Sequence, residues 1–138
     1  MNIKISDKTL KGDCPLAISK IMQDILKTEN ENDQLKEHFW SIGLNARNIV
    51  IYVELVSLGT LNASLVHPRE VFRFAIQKSV CSIILSHNHP SGEARPSEDD
   101  SKLTKRLVDA GEILGIEVLD HIIITENDFF SMKESKLI

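Results

Sequence analysis

The sequence is poor in cysteine, glycine and proline: of its 138 residues, two are cysteine, six are glycine and four are proline. This is too little glycine and proline for a collagen-like or low-complexity chain, and we find no internal repeat. The 42% of apolar and 26% of charged residues are typical of a globular protein. Because the length suits one average domain, we predict a single domain that spans residues 1–138.

The two cysteines, Cys14 and Cys81, are far apart in the sequence, and neither belongs to a CxxC pair. The chain therefore lacks the cysteine pairs of a structural zinc site. We interpret both cysteines as buried thiols without a bridge, because an isolated pair in a reducing compartment is seldom oxidised. Burial in the apolar run VCSIIL would also leave the Cys81 thiol unreactive.

Long apolar runs are absent as well. The two uncharged stretches, residues 55–68 and 79–92, are interrupted by Gly, Pro, His and Asn, and fall short of the roughly 20 apolar residues of a membrane span. The opening residues, MNIKISDK, lack the apolar segment of a signal peptide. We therefore expect a cytoplasmic protein with no membrane partner.

Positive charge is in deficit, with 16 Lys and Arg against 20 Asp and Glu, and the net charge is −4. The overall field of such a protein repels nucleic acid. DNA as a partner would require a local basic groove, which the net charge does not support.

Apolar residues recur at helical spacing in three segments and at strand spacing in five. The helices are predicted to begin near Pro15, His67 and Ser97, and the third runs to Leu114. Strands are predicted at residues 39–44, 49–58, 81–87, 116–119 and 121–125. Of the connections, 28–34 is predicted to be solvated, 45–48 a hairpin turn, and 60–66 a continuation of the second strand or a bulge. The pattern predicts an α/β (α+β) fold, with a mixed, largely antiparallel central sheet flanked by helices.

Among five histidines, only His87 and His89 are spaced to act together. In an extended strand, residues i and i+2 project to the same side, so both imidazoles can converge on one point while Asn88 faces away. They stand where a predicted strand enters the polar loop NHPSGEARPS. Two nitrogens alone hold a metal ion loosely, so we expect a third ligand from a nearby element.

The acidic start of the third helix can supply that ligand. Glu98, Asp99 and Asp100 all lie within reach of a folded-back loop, and spacing does not choose among them. Two histidines and one carboxylate leave a fourth tetrahedral position for water, as in catalytic zinc sites. The simpler alternative is that the histidines are surface groups and that Ser97 and Asp100 only form a capping box. The coincidence of these features favours a metal site.

These residues resemble the signature of the JAMM (MPN+) metallopeptidases: HxH, seven residues, serine, two residues and aspartate. The resemblance is closer to the RadC family, whose domain reads GT, HPREV, an apolar strand, HNHPSG, and PS with a trailing aspartate. The similarity covers roughly residues 15–130, with matches at Gly59-Thr60 and at residues 67–71, 79–85, 87–92, 96–100 and 119–125. It implies a JAB/MPN fold of cytidine-deaminase-like architecture, and Zn²⁺ held by His87, His89 and Asp100. It also implies that Ser97 lies near the developing oxyanion.

Full-length RadC proteins carry a further N-terminal region with a helix-hairpin-helix motif that binds DNA. We expect this sequence to resemble the short members that lack that region. The family's association with DNA repair is correspondingly weaker here.

A zinc hydrolase also needs a general base. Sequence physics leaves two candidates open: Glu37, at the start of the first predicted strand, and Glu54, in the middle of an apolar strand. JAMM enzymes use a glutamate on the first core strand, so the resemblance implies Glu37.

We therefore expect a zinc metallopeptidase or isopeptidase that acts on a peptide or protein. The alternatives are a DNA-repair factor or nuclease using the same metal, and a zinc-binding interaction module without activity. A zinc deaminase is disfavoured because the P-C-x-x-C half of its signature is absent. No motif identifies the residues that bind substrate, although exposed strand edges near Phe39 or Ile122 could take an extended peptide.

Overall fold

The computed structural model describes residues 2–3, 10–59 and 66–138. Within these ranges the chain forms six strands and four helices. In chain order they are β1 (Asn2–Ile3), α1 (Pro15–Lys27), α2 (Glu31–Gln34), β2 (Glu37–Leu44), β3 (Val50–Gly59), α3 (Pro68–Gln77), β4 (Ser82–Asn88), α4 (Glu98–Leu114), β5 (Glu117–Ile124) and β6 (Phe129–Ser131). The predicted mixed α/β fold is confirmed. The segment predicted to continue the second strand lies, except for Val66, outside the described residues.

The described strands form one sheet in the order β1-β3-β2-β4-β5-β6. Only β4 and β5 pair in parallel, and every other neighbouring pair is antiparallel. The prediction of a mixed, largely antiparallel sheet is therefore confirmed.

The prediction of exposed strand edges near Phe39 and Ile122 is wrong. Phe39 pairs with Ser57 on one side and His87 on the other. Ile122 likewise lies between Ser86 and Ser131. Because both strands have a neighbour on each side, their backbone groups are already paired and cannot accept an added strand.

The helices cover both faces of the sheet, and each face has its own apolar core. On the first face, α3 and α4 contribute Val71, Phe72, Leu103 and Leu107, which pack with Phe39, Ile83 and Leu85 of the sheet. On the second face, α1 contributes Ile18, Met22 and Ile25, which pack with Trp40, Ile42 and Ile84. Adjacent residues of β2 and β4 thus alternate between the two cores, as the pleat of a strand requires.

The first predicted helix is confirmed as α1, but the connector after it is not wholly irregular. Residues 28–34 include the short helix α2. The Asn30 side chain accepts a hydrogen bond from the Asp33 backbone N–H at 2.9 Å, which satisfies one of the free donors at the helix start. A single turn has no apolar periodicity, so the sequence pattern alone did not reveal it.

The strand β4, the loop after it, α4 and β5 form one β-α-β unit that carries the sequence motif. Helix α4 ends at Gly115, whose φ of 75° is the left-handed conformation that glycine adopts without strain. The unit brings the C-terminal end of β4 and the N-terminal end of α4 to the same end of the sheet. None of the described helices is long and apolar enough to span a bilayer.

Both cysteines are exposed, so the prediction that they are buried is wrong. Cys14 stands just before the first turn of α1. Cys81 lies between Val80 and Ser82, both of which are buried. The side chain of Cys81 therefore projects to the opposite side, toward solvent.

Candidate metal centre

His87 lies at the C-terminal end of β4 and His89 in the loop directly after it, and their side chains converge as their spacing predicts. His87 is fully buried beside Phe39, on the sheet face that α4 covers. The Nε2 atoms of His87 and His89 are 2.9 Å apart. Backbone hydrogen bonding fixes the turn of the chain at this point, because the His89 N–H donates to the Ile124 carbonyl at 2.9 Å.

Asp100 completes this group from the first turn of α4. Its Oδ1 lies 3.3 Å from His87 Nε2, and its Oδ2 lies 3.1 Å from His89 Nε2. Glu98 and Asp99 are exposed, whereas Asp100 is buried. Among the three acidic residues of this helix start, Asp100 is therefore the one that faces the two imidazoles.

The capping box proposed as the simpler alternative is also present. Ser97 Oγ accepts a hydrogen bond from the Asp100 N–H at 3.0 Å, and Asp100 Oδ2 accepts one from the Ser97 N–H at 2.8 Å. The cap and the imidazole contacts use different lone pairs of the carboxylate, which has about four. The cap therefore orients Asp100 toward the histidines and does not remove it from them.

The electrostatics of the group favour a cation. Burial raises the pKa of Asp100, but the hydrogen bonds to His87 and His89 outweigh it and hold that pKa well below its usual range. The hydrogen bond to Asp100 raises the pKa of His89, while burial partly opposes the increase. A buried carboxylate that stays ionised attracts positive charge, which a proton on His89 or a metal ion can supply.

His87, His89 and Asp100 together could hold a metal ion. Their ligand atoms all lie within 4.8 Å of one another. A tetrahedral zinc with bonds of 2.0–2.1 Å places its ligands about 3.3 Å apart. The spacings observed here, 2.9 to 3.3 Å, fit such a shell with only small shifts.

Each imidazole is oriented by a contact of its second nitrogen. His89 Nδ1 lies 2.8 Å from the Glu93 carbonyl, so it donates there and leaves Nε2 free of its proton in the neutral ring. His87 Nδ1 lies 2.7 Å from His121 Nε2. His121, to which no sequence motif gave a role, is fully buried within β5, and burial lowers its pKa well below the usual range.

The two candidate bases lie in different surroundings. Glu37 is half-buried on β2, and together with His89 it lines a cleft of about 550 Å³. Its charge is among those that raise the pKa of His89. Glu54 is buried deeper in the sheet, where burial raises its pKa and the positive charge of Arg73 on α3 is the largest opposing effect.

Asn88 connects the strand that bears Glu37 to the histidine strand. Its Oδ1 accepts a hydrogen bond from the His38 N–H at 2.5 Å, and its Nδ2 donates to the Lys36 carbonyl at 3.0 Å. These two backbone groups flank Glu37. The side chain of Asn88 thus continues the pairing of β2 and β4 where the backbone of β4 turns away toward β5.

A family model described as RadC-like JAB domain matches residues 13–137 of this chain. The chain therefore belongs to the RadC-like JAB domain family. Its mixed sheet and its flanking helices are consistent with a JAB/MPN fold.

Several relatives are called UPF0758 protein. That of Desulforamulus reducens is 55% identical over 113 residues, which is 82% of this chain and 50% of the relative. That of Desulforudis audaxviator is 59% identical over 98 residues, which is 71% of this chain and 43% of the relative. That of Alkaliphilus oremlandii is 46% identical over 138 residues, which is 100% of this chain and 56% of the relative. The chain thus spans about half the length of these relatives.

Proposed function

We propose that this protein is a zinc-dependent hydrolase of the JAMM type that cleaves a peptide or isopeptide amide. The observation that carries the proposal is the convergence of His87, His89 and Asp100, together with the position of Glu37 in the cleft that His89 also lines. Two imidazoles and one carboxylate are the ligand set of zinc sites that keep a position open for water. A purely structural zinc site would have closed its shell with a fourth protein ligand.

His87, His89 and Asp100 would hold the metal ion through Nε2, Nε2 and the carboxylate. A zinc ion in such a site would lower the pKa of a bound water molecule toward about 7 and polarise a carbonyl group. The identity of the metal as zinc is part of the proposal. It is supported by the nitrogen-rich ligand set and by the spacing of the ligand atoms.

Glu37 is the proposed general base. It would take the proton of the attacking water and deliver it to the leaving amine, which requires a carboxylate that faces the cleft. The half-buried position of Glu37 and its electrostatic influence on His89 support this role. The position of Glu54, whose charged neighbours lie on α3, disfavours it as the base.

Ser97 is the proposed oxyanion donor. Its Oγ already accepts the cap hydrogen bond from Asp100, but its hydroxyl proton is a separate resource. The side chain is exposed, so the proton can be directed at a substrate. Oxyanion stabilisation by a donor of this kind is typically worth about 10² to 10³ in rate.

The proposed partner is a peptide or protein and not DNA. A net charge of −4 disfavours a polyanionic substrate. Next to the cleft that Glu37 lines is a second hollow of about 240 Å³, and Leu35, His89 and Pro90 line both of them. These walls combine apolar and polar groups, as a peptide site requires.

The test is hydrolysis of a panel of peptides, isopeptide-linked peptides and single-stranded DNA by the zinc-loaded full chain, each with a chelator control. We expect chelator-sensitive cleavage of an amide. We expect Glu37→Gln to keep its zinc and to lose about 10² to 10⁴ in rate, because it removes the base and spares the ligands. Glu54→Gln is the matched control and should remain active.

Three outcomes would contradict the proposal. Cleavage of DNA alone would replace the amide with a phosphodiester as the substrate. An active Glu37→Gln with an inactive Glu54→Gln would move the base to β3. Bound zinc without turnover of any substrate in the panel would favour a binding module.

A further inference from the structure

A third imidazole stands behind the candidate metal ligands. His121 on β5 is fully buried, and its Nε2 lies 2.7 Å from His87 Nδ1. On its other side, His121 Nδ1 lies 2.5 Å from Thr104 Oγ1 of α4. Thr104 Oγ1 in turn lies 2.8 Å from the backbone carbonyl oxygen of Asp100. A chain of buried hydrogen bonds thus connects His87 to the residue that supplies the carboxylate.

The donor and acceptor groups of these hydrogen bonds determine which atom carries the proton in each of them. A carbonyl oxygen only accepts, so the contact with Asp100 uses the single proton of the Thr104 hydroxyl. The Thr104 oxygen then accepts a hydrogen bond from the N–H of His121 Nδ1. A neutral imidazole has one N–H, so His121 Nε2 accepts and His87 Nδ1 donates. This arrangement leaves a lone pair on His87 Nε2, the atom that faces His89 and Asp100.

The opposite direction is incompatible with a metal ligand at His87. In that case the Thr104 hydroxyl would donate to His121 Nδ1, and His121 Nε2 would donate to His87 Nδ1. The proton of His87 would then stay on Nε2, where a ligand needs its lone pair. The direction of these hydrogen bonds therefore decides whether His87 Nε2 has a lone pair available for a metal ion.

We propose that Thr104 and His121 are positioning residues that hold the proton of His87 on Nδ1 and so present Nε2 to the metal. The inference extends the proposed metal centre and rests on it, although the tautomer itself is a property of the metal-free protein. Thr104 is 3% exposed and His121 is 0% exposed, so water does not replace a lost partner. Contacts that orient a ligand in this way typically change metal affinity by about 10- to 100-fold.

The first test removes the Thr104 hydroxyl, which accepts the hydrogen bond from His121 Nδ1. Thr104→Val keeps the shape of the side chain and leaves the N–H of His121 Nδ1 buried without a partner. Thr104→Ser is the matched control, because it keeps the hydroxyl. In a competition titration with a chromogenic chelator, we expect zinc affinity to fall about 10- to 100-fold for Thr104→Val and to stay within about threefold for Thr104→Ser. Equal affinities for all three proteins would overturn the inference.

The second test needs no variant and no metal. The ¹⁵N chemical shifts of the histidine rings in the metal-free protein at about pH 8 report which nitrogen carries the proton. We expect the proton of His87 on Nδ1, and a proton on Nε2 overturns the inference. If Thr104→Val does not fold, this measurement decides alone. If the unmutated protein binds no zinc, the proposed metal centre fails, whereas the tautomer still decides the role of Thr104 and His121.

Discussion

The hydroxyl group of Ser97 can both accept and donate a hydrogen bond. Its oxygen accepts one from the Asp100 N–H in the cap of α4. We predict that Ser97→Ala lowers the free energy of unfolding by about 1 kcal/mol, the usual cost of a lost N-cap. We also predict a loss of about 10² to 10³ in hydrolysis rate, because the oxyanion donor is removed. Denaturant unfolding and initial rates on the zinc-loaded protein measure the two effects.

Asn30 offers the matched control for Ser97. It caps α2 by the same kind of hydrogen bond, to the Asp33 N–H. Asn30→Ala should cost a similar free energy of unfolding and leave the rate unchanged. If Ser97→Ala also lost stability and kept its full rate, the hydroxyl would serve the cap alone.

Tyr52 makes the stability of the fold sensitive to high pH. Burial raises the pKa of its phenol to about 12, from 10.0, and the nearby Ser41 offsets only part of this increase. Between these values the unfolded phenol ionises and the folded phenol does not, so the folded state binds more protons. The free energy of unfolding therefore falls as pH rises above 10, by about 2 to 3 kcal/mol at pH 12.

Tyr52→Phe should remove this contribution, because phenylalanine does not titrate. Urea unfolding of both proteins from about pH 8 to pH 12 measures the difference between their free energies of unfolding. We expect the difference to grow in favour of Tyr52→Phe above pH 10. Parallel curves for the two proteins would show that the phenol ionises as easily in the folded state.

Helix α4 carries a glycine at a position where alanine is normally the better choice. In a helix interior, Gly→Ala usually stabilises by about 0.5 to 1 kcal/mol. At Gly111, however, an added Cβ would lie 2.3 Å from the backbone oxygen of Ile116, in the turn that leads to β5. We predict that Gly111→Ala destabilises the protein by roughly 1 to 3 kcal/mol, because the turn must move.

A substitution at Gly115 serves as the comparison, because there alanine would strain the backbone without a steric clash. Its φ of 75° is unfavourable for alanine, but no atom lies within 4 Å of an added Cβ. Gly115→Ala should therefore cost about 1 to 2 kcal/mol through its backbone alone. A more stable Gly111→Ala protein in thermal unfolding would mean that the α4–β5 turn relaxes freely.

The elements that sequence periodicity predicts best are those with a full apolar stripe or run, such as α1, α4 and β4. The short helix α2 was missed because four residues do not complete a periodic pattern. Strand β6, with three residues, was missed for the same reason. The edges of the sheet were placed wrongly, because strand order depends on contacts between residues far apart in the sequence.

For the molecule as a whole, we predict that zinc stabilises the fold. The candidate ligands come from β4, the loop after it and α4, so they are close together only in the folded state. At a zinc concentration 100-fold above the dissociation constant, the free energy of unfolding should rise by about 2.7 kcal/mol. Thermal unfolding with zinc and with a chelator measures this as a difference of several degrees in Tm.

Two histidine variants make this experiment specific. His87→Ala should abolish the effect of zinc on Tm, since it removes a ligand. His67→Ala should preserve it, because His67 stands before α3 and its side chain makes no capping hydrogen bond there. An equal effect of zinc on the unmutated protein and on His87→Ala would place the metal elsewhere.

The local parts of the candidate site follow from spacing along the chain. His87 and His89 project to one side because residues two apart in a strand do so, and Ser97 and Asp100 meet because a helix start brings N-cap and N3 together. Both relations hold within a few residues of chain. The periodicity that predicts α4 and β4 is likewise local.

The surroundings of these residues depend on contacts between distant parts of the chain. Sequence spacing left Asp100 as one of three acidic candidates, and the packing of α4 beside β4 selects it. His121 is separated from His87 by 34 residues in the sequence. The contact between those two histidines exists because β4 and β5 are parallel neighbours in the sheet, with α4 as the connection between them. Such pairing is selected by the burial of the whole sheet between two layers of helices, a property that no short stretch of sequence contains.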